Sequence, residues 1–122
     1  MASGAEHDLP AVIPIFPLTG AIVLPQAQLP LNIFEPRYLA MVRDAMAGAR
    51  LIGMVQPLRE RIHGASSGPP PEVYGVGCAG RITQVSETDD GRLLITLTGV
   101  CRFRIAEELV CTTPYRQVRP DF

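Results

Sequence analysis

The side chains able to do chemistry are few, and their spacing is poor for it. His7 and His63 are the only histidines of the 122 residues. Neither has a Glu-x-x-His partner or a rigid element to hold it for acid–base work. Ser3, Ser66, Ser67 and Ser86 lack the Gly-x-Ser-x-Gly setting of an activated nucleophile. All eleven basic residues are arginine, so a serine–lysine pair cannot be assembled within the chain. Cys78, Cys101 and Cys111 show neither disulfide-framework nor tetrahedral-metal spacing. Cys78 and Cys101 fall in apolar strand patterns and are expected as small buried side chains. Glu87, Asp89 and Asp90 cluster, but at a predicted hairpin tip where polar turn residues belong. There is no Walker loop, and Gly75, Gly77 and Gly80 lie within a strand pattern, not before a helix, so they form no dinucleotide fingerprint. No catalytic residue, metal or cofactor is expected.

Composition agrees with a binding or structural role. One domain of this length can bury a core; 47% of residues are hydrophobic, 19% are charged and the formal net charge is −1. Nothing in that balance favours nucleic acid or an anionic membrane. No run of about 18 apolar residues exists, and the N-terminus lacks a signal-peptide pattern, so a cytoplasmic protein is expected.

The elements that must position any site can be read in order. Residues 1–8 are expected as a flexible leader, and 9–122 as the folded domain. A short strand is predicted within Val12 to Phe16, kept short by Pro10 and Pro14, which a sheet edge or bulge tolerates and a central ladder does not. An extended stretch from Leu29 to Phe34 leads into Glu35-Pro36. Proline suits the first turn of a helix, where its missing N–H costs nothing. Tyr38, Leu39, Val42 and Met46 then recur at helical spacing, predicting a helix at about 36–47 with Gly48 as its stop. A strand is predicted at Leu51 to Val55, then a flexible loop at 57–72 carrying Gly64-Ala65-Ser66-Ser67-Gly68 and Pro69-Pro70-Pro71. Strands resume at Val73, turn at Asp90-Gly91, and return through Leu93, Ile95 and Leu97 and then Cys101, Phe103 and Ile105. The sum is a mainly-β fold: a small, curved pseudo-barrel of about six strands with one principal helix. A two-layer sheet with a helix is the competing arrangement.

Several of these blocks together resemble a known family. They are Ile13-Pro14-Ile15-Phe16-Pro17-Leu18, Val23-Leu24-Pro25, Leu29-Pro30-Leu31-Asn32-Ile33-Phe34-Glu35-Pro36-Arg37-Tyr38, Val76 to Ile82 and Asp90 to Ile105. Over about residues 12 to 118 the chain resembles the amino-terminal, substrate-recognition domain of the ATP-dependent Lon protease, and in particular short bacterial proteins made of that domain alone. The resemblance implies a barrel of the PUA-like type and a role in recognising unfolded or tagged polypeptides, with self-association as a second contact. It implies no ATPase or protease activity, since those domains are not in this sequence. It also implies that the sequence stops before a helical portion. Within the family motif, Phe34, Glu35, Pro36, Arg37 and Tyr38 are the structural core. One departure is Pro25-Gln26-Ala27, where the family often has Pro-Gly and a cheap positive φ.

Three functional readings follow. The first is a non-catalytic protein or peptide recognition module, with Tyr38, Val73, Tyr74 and Val76 as candidate binding residues and strand addition near the 57–72 loop as the mode. The second is an RNA-binding PUA-like module, which would need Arg81, Arg92, Arg102 and Arg104 on one face. The third is an accessory subunit of a peptidase. Phe34 is expected to plug the barrel with the helix stripe. Glu35 is expected to pair with Arg81 or to accept hydrogen bonds from the first helical N–H groups.

Overall fold

The computed structural model describes residues 9–20, 23–58 and 72–122. Six strands and one principal helix follow in the order β1 (Ile13–Pro17), β2 (Gln28–Ile33), α1 (Pro36–Met46), β3 (Leu51–Val55), β4 (Val76–Glu87), β5 (Leu93–Glu108) and β6 (Arg116–Asp121). The sheet order is β2-β5-β4-β3-β1-β6, and β5 also pairs with β6, so the sheet bends back into a partial ring. The leader 1–8 and most of the 57–72 loop lie outside the described residues. The loop's ends are held by backbone bonds, Leu58 N–H to the Glu72 carbonyl at 2.7 Å and Tyr74 N–H to the Gln56 carbonyl at 2.9 Å.

β5 is the strand on which the others meet. Its first half pairs with β2, from Leu93↔Ile33 to Thr98↔Gln28, and its last part with β6. β4 runs along its other edge, with register shifts at Ala79/Gly80 and Ile82/Gln84. The change of partner falls at Gly99. There Gln26 N–H donates to the Gly99 carbonyl at 2.8 Å, and Gly99 N–H donates to the Ala27 carbonyl at 2.8 Å. The approach is so close that a Cβ on Gly99 would overlap the Leu24 carbonyl. Only glycine allows it. The turn that makes the approach holds Gln26 at φ 66°. A non-glycine residue thus holds the left-handed geometry, at a cost of about 1–2 kcal/mol.

β1 is neither an edge strand nor a bulge, the two settings in which its prolines are expected. It pairs on both sides, parallel with β3 and antiparallel with β6. Its prolines fit because neighbouring backbone N–H groups point to opposite sides. Leu18 N–H reaches the Val55 carbonyl of β3, so position 14 faces β3 and position 17 faces β6. Pro14 precedes the first β3 register pair, Ile15↔Gly53, and Pro17 follows the last β6 pair, Ile15↔Arg116. Neither proline removes a ladder bond. The true edge strand is β2. The bond between Gly99 N–H and Ala27 sets its phase and turns Pro30 outward, where a missing donor protects the edge.

Two apolar clusters follow from strand alternation. Ile13, Ile15, Leu51, Val55, Ala79, Phe103 and Val118 pack inside the bend. On the opposite face, Phe16, Ile52, Met54, Ile82, Leu93, Ile95 and Leu97 are covered by Met41, Val42 and Ala45 of α1. The buried stripe is thus turned from the expected one, with Leu39 and Met46 only half-buried. The helix ends at Met46 with Ala47 as its C-cap and Gly48 next, as expected, but the left-handed residue of the turn is Arg50, at φ 64°, with its N–H on the Ala45 carbonyl at 2.9 Å.

Gly99→Ala should destabilise the domain by about 3 kcal/mol or more, because the backbone it would strike cannot move without opening β5. Gly75 faces open space, so Gly75→Ala should stay within about 1 kcal/mol of the parent. Urea titration of the two variants compares them directly.

Candidate functional site

The family-motif residues sit where β2 hands over to α1. Glu35 has extended φ and ψ, and its carbonyl accepts from Tyr38 N–H at 3.0 Å and Leu39 N–H at 2.9 Å. Its side chain makes no cap hydrogen bond. The carboxylate instead meets Arg37 Nε at 3.0 Å, half-exposed on both sides. Arg81 does not reach Glu35; from β4, opposite Leu51, its guanidinium donates to the Ala49 carbonyl at 3.1 Å. The expected Glu35–Arg81 bridge is replaced by these two local contacts. Exposed as it is, the Glu35–Arg37 pair contributes less than about 1 kcal/mol.

Phe34 also differs from expectation. Ile33 is the residue buried at the end of β2, and Phe34, on the opposite side, is 63% exposed. Strand alternation demands this once Ile33 opposes buried Leu93. Tyr38 packs its ring on Phe16 with centroids 4.3 Å apart, and the Arg37 guanidinium lies 5.0 Å above the Tyr38 ring. Tyr38 is thereby a packing residue of the helix–sheet joint.

That joint has a partner the sequence did not disclose. Tyr115 Oη donates to Asp44 Oδ2 at 2.6 Å, tying α1 to the turn before β6. Burial, and then the Asp44 carboxylate, push the Tyr115 hydroxyl up to about 12. Beside it Arg116 grips Glu108 through two bonds of 2.8 and 2.7 Å, which hold the Glu108 carboxyl below its usual range. No local pattern marks Asp44 and Tyr115 as partners, since they lie 71 residues apart.

The other candidates gather at the start of β4. Val73 is half-buried against the inner cluster, whereas Tyr74 and Val76 are 53% and 54% exposed. The backbone here is not an open edge. Tyr74 N–H is bonded to Gln56 on one side, and the Gly75 carbonyl accepts from Ile105 N–H at 2.7 Å on the other. Strand addition at 73–75 is therefore replaced by a surface of side chains. Val76 and Cys78 oppose Arg104 and Arg102 of β5, on the face away from buried Phe103. Of the four arginines that the RNA reading needs on one face, two are engaged elsewhere. Arg92 pairs with Asp90 in the hairpin at 3.0 Å, and Arg81 is engaged at Ala49. Among the described residues no cluster of three or more His, Cys, Asp or Glu could hold a metal ion. Burial pushes the Cys101 thiol up, away from nucleophilic chemistry. No helix among the described residues is long and apolar enough to cross a membrane.

The geometry defines a class of small mainly-β domains in which one helix covers part of a strongly bent sheet and the rest of that face meets solvent. Comparison with known proteins narrows the class. The family model of the ATP-dependent protease La (LON) substrate-binding domain matches residues 12–121, and the chain belongs to this family. The Lon protease of Dictyoglomus thermophilum is 32% identical over 115 residues, covering 94% of this chain and 14% of that protein. Lon protease 2 of Myxococcus xanthus is 30% identical over 118 residues, covering 95% and 14%. The chain thus spans about one-seventh of the length of these relatives. The crystal structure of a Lon N-terminal domain protein from Xanthomonas campestris is similar with a TM-score of 0.67 and 28% identity, over 90% of this chain and 58% of that one. The matched region is the non-catalytic, substrate-binding part of Lon.

Tyr115→Phe should cost about 2 kcal/mol, the worth of a hydrogen bond to a charged acceptor. The raised hydroxyl also sets a pH dependence. The unfolded tyrosine ionises from its ordinary value of 10, while the folded one holds its proton to about 12. Its contribution is full below pH 10 and is lost as pH rises towards 12. Denaturant titrations at pH 8 and 11 should show a steeper alkaline loss in the parent than in Tyr115→Phe.

Proposed function

We propose that the chain is a non-catalytic recognition module that binds polypeptides, unfolded or tagged, through the exposed continuation of the sheet at Tyr74 and Val76. The observation that carries this reading is the family match over residues 12–121 to a substrate-binding domain. The local support is a pair of large apolar side chains, more than half exposed, on a sheet face otherwise covered by α1. Exposed apolar area on a rigid sheet is what an extended chain can bind without ordering the receptor. Val73 contributes by holding the segment down, and Tyr38 by fixing α1 over the adjoining face. The finer architecture we assign is a PUA-like pseudo-barrel, the bent sheet closing through β5 and β6. Residues 9–122 act as one domain, and the cytoplasm, where unfolded chains arise, is the compartment in which such a module acts. Self-association is a further contact of the same module. Recognition without cleavage also suits a module that works beside a complete protease.

Titration of the isotope-labelled chain with a permanently unfolded model polypeptide should shift amide resonances around 74–78 and 102–104. Casein should remain intact with and without ATP. Unchanged spectra at millimolar polypeptide, or ATP-dependent cleavage that survives purification, would contradict the reading.

A further inference from the structure

The nine described arginines divide into three groups. Arg37, Arg92, Arg116 and Arg119 each hold a carboxylate, and Arg81 a carbonyl. Arg43 and Arg50 lie at the carbonyl end of α1, where a cation is favoured without a specific partner. Arg102 and Arg104 have neither. Both are exposed on β5, on the same side of the sheet as Val76 and Cys78. The nearest carboxylates in the ladder are Asp121, opposite Arg104, and Glu72, two residues before Tyr74. Neither forms an ion pair with these arginines among the described residues. The face therefore carries two apolar side chains, Tyr74 and Val76, flanked on the next strand by two arginines that make no ion pair among the described residues, although Asp121 lies opposite Arg104.

We infer that this face selects one kind of polypeptide: an extended segment whose apolar side chain seats against Tyr74 and Val76 and whose acidic side chains, two residues apart, meet Arg104 and Arg102. The inference rests on the polypeptide-binding reading above and adds the chemistry of the segment. The spacing is geometric. Alternate residues of a strand lie about 7 Å apart on one face, so two arginines at alternate positions of β5 match two carboxylates at alternate positions of an extended ligand. The ladder sets Val76 beside Arg104 and Cys78 beside Arg102, so apolar and charged contacts lie side by side along the ligand. Complementary charge adds selectivity and speeds encounter while the apolar contact supplies most of the affinity. Arginine suits the task because its planar fork binds a carboxylate with two bonds. A phosphate backbone is the poorer match, since among the described residues only two arginines on this face lack a partner and the chain's formal charge is −1.

The test uses the full chain and fluorescent peptides that share a Leu-Val anchor and differ in the next three residues: Glu-Ser-Glu, Ser-Ser-Ser or Lys-Ser-Lys. Anisotropy titrations should show the acidic peptide binding about tenfold more tightly than the lysine peptide, from two exposed charge pairs. Most of that difference should vanish in about 0.5 M salt. Arg102→Glu/Arg104→Glu should invert the preference, and Tyr74→Ser should weaken all three peptides alike. Circular dichroism checks the fold of each variant, and Arg102→Ser/Arg104→Ser replaces the charge reversal if that variant is unfolded. Equal affinity for the three peptides, or an acidic preference that survives loss of both arginines, overturns the inference. In that case binding of an unfolded model polypeptide, unaffected by the arginine variants, leaves the broader reading standing. Failure of every polypeptide to bind ends both. Tighter binding of a single-stranded RNA oligonucleotide in competition with the acidic peptide, or a dimer in sedimentation that Tyr74→Ser abolishes, assigns the face to another occupant and overturns it as well.

Discussion

The close passage of the 24–27 turn over Gly99 is the constraint on which the rest depends. β5 must pair with β2 before this point and with β6 after it, and both pairings use the same edge of the strand. One strand edge can serve two partners only if something ends the first pairing and starts the second. Here the backbone of 24–27 crosses at Gly99, bonds to both its N–H and its carbonyl, and occupies the space where a side chain would begin. The register shifts on the β4 side supply the accompanying bend. A sheet bent this way has an inside and an outside, and the two apolar clusters are those two faces.

Each face is closed by different means. The inner cluster needs close approach: a Cβ on Gly53 would lie 2.7 Å from the Phe103 ring, so glycine there lets the ring fill the bend. The outer cluster needs a cover, which α1 provides. Pro36 starts the helix, and Tyr38 on Phe16 and Tyr115 on Asp44 fasten it at separate points. The cover is shorter than the face. Beyond Met54 and Cys78 the same side of the sheet emerges into solvent with Tyr74, Val76, Arg102 and Arg104. The proposed recognition surface is thus the uncovered remainder of a core face. That is why it is both apolar and rigid.

Much of the frame was legible because local chemistry specified it. Pro36 after an extended run placed the helix start, Asp90-Gly91 the hairpin, and the alternation of Cys101, Phe103 and Ile105 the strand. The short β1 was legible, but its place between two partners was not, because the rule against proline in central strands counts residues, whereas the ladder counts N–H groups that have a neighbour. The helix stripe was legible in part: Tyr38, Leu39, Val42 and Met46 do pack on the core, but Met41 and Ala45 are buried deeper, because several neighbouring positions are apolar and spacing alone leaves more than one face eligible. Phe34 is expected inside because a small fold needs its apolar side chains buried, but its strand parity puts it outside. At the candidate site, Tyr74 and Val76 were reachable from their neighbourhood. The isolation of Arg102 and Arg104 was not, because it depends on which carboxylates the fold draws to the other arginines.

If the crossing at Gly99 joins the halves of β5, the domain is one cooperative unit, and its recognition face is held by both cores. Native-state hydrogen exchange tests this most directly. The amides of Ile95, Gly99 and Phe103 should exchange with opening free energies within about 1 kcal/mol of one another and of global unfolding. Exchange of Ile95 through a much cheaper local opening, with Phe103 still protected, would show that the two halves fold separately and contradict the account.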